Sequence, residues 1–130
     1  MVHQISVKRI YDPPSPEDGV RILVDRFWPR GISKERAAVD AWMKDIAPSS
    51  ELCKWFGHRP ERFAEFTERY ERELAEDPIR NELADRICGI AVEKNVTLVY
   101  AAKDAVHNQA IVLQRWLTRR SEQGERKRQV

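Results

Sequence analysis

Cysteine and glycine are scarce in this chain, two and five among 130 residues. Cys53 and Cys88 stand far apart without metal-ligand spacing, which argues against a zinc module, a disulfide framework or any metal site. Both lie in stretches that read as helix, so they are expected as small buried thiols in a reducing, cytoplasmic setting. The glycines form no phosphate loop ahead of a helix, no serine sits in a nucleophile elbow, and no cysteine follows a strand. Serine or cysteine nucleophiles are therefore not expected, and no cofactor is implied. No run approaches the roughly 18 apolar residues that span a bilayer, so no membrane partner is expected. Met1–Lys8 also lacks the apolar core of a signal peptide. A surplus of one charge is missing too: 23 Lys and Arg stand against 21 Asp and Glu. That is short of the basic excess of a duplex-binding domain.

What is present is an ordinary globular balance, 42% apolar and 34% charged, enough for one core. Residues 1–120 read as a single domain and 121–130 as a polar, frayed tail. Gln4–Ile10 alternates weakly and reads as a short strand suited to a sheet edge, and the proline-rich Tyr11–Gly19 after it must be a loop. Val20–Trp28 reads as a strand whose centre, Ile22-Leu23-Val24, is apolar on both faces, as in a covered parallel sheet. Ser33 is positioned to cap one helical turn, and Val39–Ile46 is ambiguous between strand and helix. A helix from Pro48 to Gly57 carries Leu52, Trp55 and Phe56 inward. In Pro60–Glu76, Phe63, Phe66, Tyr70 and Leu74 form one stripe on a 3.6-residue period. Ile79–Glu93 follows as a helix burying Leu83, Ile87 and Ile90. Val96–Ala102 is a β-branched strand, and Ala105–Arg119 closes the chain as a helix with Val106, Ala110, Leu113 and Leu117 inward. This order predicts a small single α/β domain, with a mostly parallel central sheet of three or four strands flanked by helices.

Ligands of such sheets bind outside the carboxyl ends of the strands. Two loops would meet at that edge, Trp28–Gly31 and Lys103–Asn108. Arg26 and Arg30 supply guanidinium forks for a phosphate or carboxylate, and Gly31 permits close backbone approach. Alternation along the strand turns Asp25 away from Arg26. The competing role for Arg26 is a structural pair with a carboxylate such as Asp104. If the last helix starts near Ala105, Asp104 is its N-cap. His107 and Asn108 then lie in its first turn, where a histidine can move protons near neutral pH. Lys103, Asp104 and His107 are the candidate catalytic residues; Arg26, Trp28, Arg30, Gly31 and Asn108 are the candidate ligand contacts. Trp28 would wall the pocket, while most of Trp28, Trp42, Trp55 and Trp116 belong to the core. Lys44, Asp45, Pro48 and Ser49 are a candidate opposite rim, and His58 reads as incidental at a helix stop.

At these residues the chain resembles the YeaO-like branch of the uncharacterised, bacterial DUF488 family. The shared features run from Ile10-Tyr11-Asp12 and Asp18-Gly19 through Val24-Asp25-Arg26 and Trp28-Pro29-Arg30-Gly31. They continue with Trp42, Lys44-Asp45, Ala47-Pro48-Ser49, Trp55-Phe56-Gly57-His58, Pro60-Glu61-Arg62 and Phe66. They end with Leu98–Asp104 and His107-Asn108-Gln109-Ala110, so residues 3 to 118 are covered. The resemblance implies a small α/β fold and brings no established activity. A wider branch carries a cysteine near the position of Tyr100 and Cys/His residues where Asn108 and Gln109 stand. This chain departs there, so that chemistry does not transfer.

The expected function is a cytoplasmic protein whose crevice binds a small anionic molecule, with acid–base catalysis left open. The alternative is a non-catalytic nucleic-acid or protein adaptor using the basic end from Arg115 to Arg128. Monomer and homodimer both remain open, the latter through aromatics of Pro60–Glu76.

Overall fold

Four short apolar segments pair side by side in a computed structural model that describes residues 3–128, with side chains through Gly124. They are β1 (Ile5–Arg9), β2 (Val20–Leu23), β3 (Ala41–Trp42) and β4 (Val96–Tyr100), ordered β1-β4-β2-β3 and all parallel. β4 is central and buried along its whole length, as its β-branched, apolar sequence requires. Its register sets Val7 and Ile22 on either side of Leu98, and Leu23 beside Val99. The helices among the described residues are α1 (Lys34–Ala37), α2 (Ser50–Phe56), α3 (Phe63–Glu76), α4 (Pro78–Glu93) and α5 (Gln109–Arg128). The small α/β domain with a parallel sheet is thus as the alternation of elements predicts. None of these helices is long and apolar enough to cross a membrane.

Alternate residues of the strands feed two cores. Ile22, Val24, Leu98 and Tyr100 pack with the inward stripes of α2 to α5, including Phe66, Tyr70, Leu74, Ile87, Leu113 and Leu117. Phe56 and Phe66 stack there at 4.3 Å. Ile10, Leu23 and Val99 face the other way, onto Ile32 and Ala37, with Trp28 and Val39 at the margin. That second layer is mostly loop.

Several local expectations are corrected. β2 stops at Leu23 rather than Trp28, where its pairing with both β4 and β3 ends. The ambiguous 39–46 segment resolves into β3 and a 3-10 turn over Lys44–Ile46. α5 begins at Gln109, so Val106 lies outside it and is 59% exposed. The helical backbone then continues to Arg128 where a frayed tail was expected; Gln129 and Val130 lie outside the described residues. Cys53 is exposed and Cys88 half-buried, both free thiols. Trp28, Trp55 and Trp116 are half-buried and pack against the two cores, as expected of most of the tryptophans, while Trp42 is exposed; the largest fully buried side chains are Tyr70 and Phe66.

The loop-covered face also holds a buried ionic group that periodicity does not reveal. Arg21, 4% exposed, donates to Asp18 at 2.7 Å and to the Ala37 and Ala38 carbonyls at the end of α1. Lys8 and the Ser15 amide also donate to Asp18, and Thr97 donates to its backbone carbonyl. Burial alone would push the Asp18 carboxyl up. Hydrogen bonds from Ser15, Lys8 and Arg21 outweigh it and hold the pKa below the usual value. A depressed carboxylate stabilises the fold above its unfolded pKa and loses that contribution as pH falls through the folded one. Replacing Asp18 by Ala leaves Arg21 buried and uncompensated, and should cost about 3 kcal/mol or more in urea unfolding at pH 7. A loss under about 1 kcal/mol would show that the group carries little of the stability.

Candidate functional site

Because all strands run the same way, the chain leaves β2 and β4 at one edge of the sheet, and side chains tie the two exits together. Asp25, two residues past β2, accepts from the Ala101 amide at 3.1 Å and from the Gln109 side-chain amide at 2.6 Å. One carboxylate therefore joins the end of β2 to the end of β4 and to the first turn of α5. Burial pushes its pKa up to about 6, partly offset by the Ala101 and Gln109 hydrogen bonds and by nearby His58. The Asp25 carbonyl accepts from the Trp42 indole at 2.7 Å, which brings in the end of β3 as well.

Arg26 turns toward the helical layer. Its Nη2 donates to the Pro48 carbonyl at 2.9 Å, and its Nε is buried with no partner. It forms no pair with Asp104, contrary to the structural alternative in the sequence. Pro48 belongs to a clamped segment. Tyr70 donates to the Ile46 carbonyl, Arg80 to that of Ala47, and the Ser49 amide and hydroxyl both donate to Glu73. Ile46, Ala47 and Pro48 are buried, so this stretch supports the site from below, while Lys44 and Asp45 stay exposed.

The 103–108 loop is organised by Asp104, although not as the cap of α5. Its carboxylate accepts from the amides of Val106 and His107 at 2.9 Å each and from His107 Nδ1 at 2.9 Å. The two amides and the imidazole together pull its pKa down to about 2. The cap is Asn108, whose Oδ1 accepts from the Ile111 amide while its Nδ2 donates to the Asp104 carbonyl. At 1% exposure, Asn108 is a scaffold residue. With Nδ1 committed to Asp104, His107 presents Nε2, its ring meeting Phe63 edge-on at 5.2 Å. Lys103 is exposed.

The remaining predicted contacts lie elsewhere. Trp28 donates its indole N–H to the Ile32 carbonyl at 2.8 Å and fills the margin of the second core. Arg30 is exposed, and its carbonyl accepts from Tyr11. Gly31 is required by its φ of 75°, not by close approach, since a Cβ there would meet nothing within 4 Å. Arg26, half-buried and bonded to Pro48, and Arg30, exposed, thus lie in different environments. At the basic end, Arg119 pairs with Glu71 and Arg120 with Asp85, fastening α5 to α3 and α4. The side chains of Arg126, Lys127 and Arg128 lie outside those described. A groove of about 380 Å³ between β1 and α5 holds Glu122 and neither lysine nor arginine, which suits no anion. Among the described residues no cluster of three His, Cys, Asp or Glu could hold a metal ion.

Sequence reasoning missed Asp25, His58 and Gln109. His58 follows Gly57 in a second consecutive left-handed residue, φ 56°, a strained conformation that needs the surrounding structure to hold it. It lies near Asp25 and packs 6.3 Å from Phe56.

The family description that matches residues 4–130 reads "Inactive DUF488-N3 subclade". The uncharacterised protein YeaO of Escherichia coli strain K12 is 46% identical over 113 residues, 87% of this chain and 96% of that protein. Uncharacterised proteins of Mycobacterium bovis and Mycobacterium tuberculosis are each 43% identical over 117 residues, 90% of this chain and 96% of theirs. No solved structure matches the chain significantly.

The Asp25 junction predicts a pH dependence of opposite sign to that of Asp18. A carboxyl whose folded pKa is raised stabilises the fold while protonated, and that contribution is lost as pH rises from about 4 to about 6. Asn at position 25 stays neutral and keeps both hydrogen bonds if Gln109 presents its oxygen. The stability of Asp25→Asn relative to wild type should therefore rise across that window, by up to about 3 kcal/mol. Urea unfolding of both proteins at pH 4, 5, 6 and 7 measures it. A difference independent of pH would contradict the junction.

Proposed function

We propose that this chain, which belongs to the inactive DUF488-N3 subclade, binds a small phosphate- or carboxylate-bearing molecule at the carboxyl edge of its sheet. One observation carries the reading: the Arg26 Nε is buried without a partner, on the residue that follows the half-buried Asp25. An orphaned guanidinium N–H costs free energy that a bound anion recovers. Arg26 grips the anion, His107 meets it through Nε2 with Asp104 fixing the ring, and Lys103 adds charge at the rim. Arg30, Trp28 and Gly31 shape the outer loop, and Asn108 holds the inner one. The subclade's description favours binding without turnover, with His107 a ligand contact oriented by Asp104 rather than half of a proton shuttle.

The test is calorimetric titration of the full chain with inorganic phosphate at low salt. Arg26→Gln and His107→Gln should each weaken binding about tenfold or more, since each removes a charge-assisted hydrogen bond. Circular dichroism would confirm that both variants are folded. Unchanged affinity in both would refute the assignment.

A further inference from the structure

The outer edge of β1 is open, and we infer that it pairs with the same edge of a second copy of this chain, antiparallel about a two-fold axis at Val7. The sheet ends in β3 on one side and β1 on the other. β3 spans two residues, short enough to blunt an edge, whereas β1 spans five. The Gln4 carbonyl accepts from the Val96 amide, and the Ile10 amide donates to the Tyr100 carbonyl. Even-numbered residues of β1 therefore turn their backbone groups toward β4, and those of Ile5, Val7 and Arg9 point out of the sheet. The Ile5 carbonyl accepts from the Gln114 side chain at 3.0 Å, and the Arg9 carbonyl from the Asp12 amide at 3.1 Å. Between these two capped ends, the Val7 amide and carbonyl have no partner among the described residues.

Charge and symmetry say what covers this edge. Basic side chains commonly guard an exposed strand. Here Lys8 is bonded to Asp18, and Arg9 reaches back to the Ala101 and Ala102 carbonyls, so both are drawn onto their own domain. Beside the strand runs the groove of about 380 Å³, to which α5 contributes Gln114, Thr118, Ser121 and Glu122. Its lining holds one acid and neither lysine nor arginine. An open stretch centred on the middle residue of the strand suits a two-fold pairing of β1 with itself. Val7 then exchanges both backbone hydrogen bonds with its counterpart, Lys8 lies opposite Ser6, and Arg9 lies opposite Ile5. No like charges face each other. The basic half of each strand comes to lie along the other copy's groove, which supplies Glu122.

Sedimentation velocity of the full chain over a range of concentrations is the test, with amide hydrogen exchange as a second readout. The chain should sediment as a dimer that dissociates on dilution. The Val7 amide should exchange about tenfold or more slowly in the dimer than in the monomer, while Ser6 and Lys8, bonded to β4, stay protected in both. Val7→Pro removes the outward N–H and no ladder bond, and should raise the dimer dissociation constant about tenfold or more. Thr118→Arg, at an exposed position of α5, sets a positive charge against the incoming Lys8 and Arg9 and should weaken the dimer likewise. Circular dichroism reports folding, and Thr118→Arg decides the matter if Val7→Pro does not fold. A monomer at every concentration, or a Val7 amide equally fast in both states, overturns the inference. So does a dimer that Thr118→Arg leaves intact, as association through the aromatics of α3 would.

Discussion

The fold converges on a single carboxylate. Asp25 receives the backbone amide of Ala101 and the side-chain amide of Gln109, and its own carbonyl receives the Trp42 indole. Through these bonds the exits of β2, β3 and β4 and the start of α5 are held in one arrangement. These bonds continue the connection between the strands past Leu23, where ladder pairing of β2 ends. The cost is desolvation of a charge, visible as the upward displacement of its pKa. The return is a fixed spacing between the loop bearing Arg26 and the loop bearing His107.

The two buried carboxylates work in opposite senses. Asp18 is surrounded by donors with positive charge, so the folded state prefers it ionised. Asp25 has neutral donors and a more distant histidine, so the folded state prefers it protonated near pH 5. Asp18 and Arg21 stiffen the loop-covered side of the sheet, where little apolar surface is available. Asp25 organises the edge. The 46–49 segment supports Arg26 from the helical side, its carbonyls taken by Tyr70, Arg80 and Arg26 in turn. Arg26 itself is held through Nη2 alone, and its Nε is buried with no partner.

The sheet and the long helices were readable from the sequence because burial there follows local periods. The stripe from Phe63 to Leu74 and the β-branched run from Val96 are of this kind. That the chain leaves β2 and β4 at one edge also followed from parallel topology alone. The details of the site did not, because they depend on contacts between residues distant in the chain. The apolar run after Leu23 looked like continuing strand, which turned Asp25 away from Arg26. The strand ends where its tertiary pairing with both neighbours ends, which the local sequence does not show. The start of α5 was misplaced because Asp104 satisfies the amides of Val106 and His107 locally, competing with helix. Asn108, a strong N-cap residue type, was the signal that could have corrected it. His58 gave no such signal, since a left-handed backbone at a histidine is invisible in sequence.

The most direct check is a carboxyl-carbon NMR titration of Asp25, followed together with the Ala101 amide resonance. The account predicts a midpoint near pH 6 with the amide shifting at the same midpoint. A midpoint near 4, the value of an exposed aspartate, with an indifferent Ala101 amide, would contradict it.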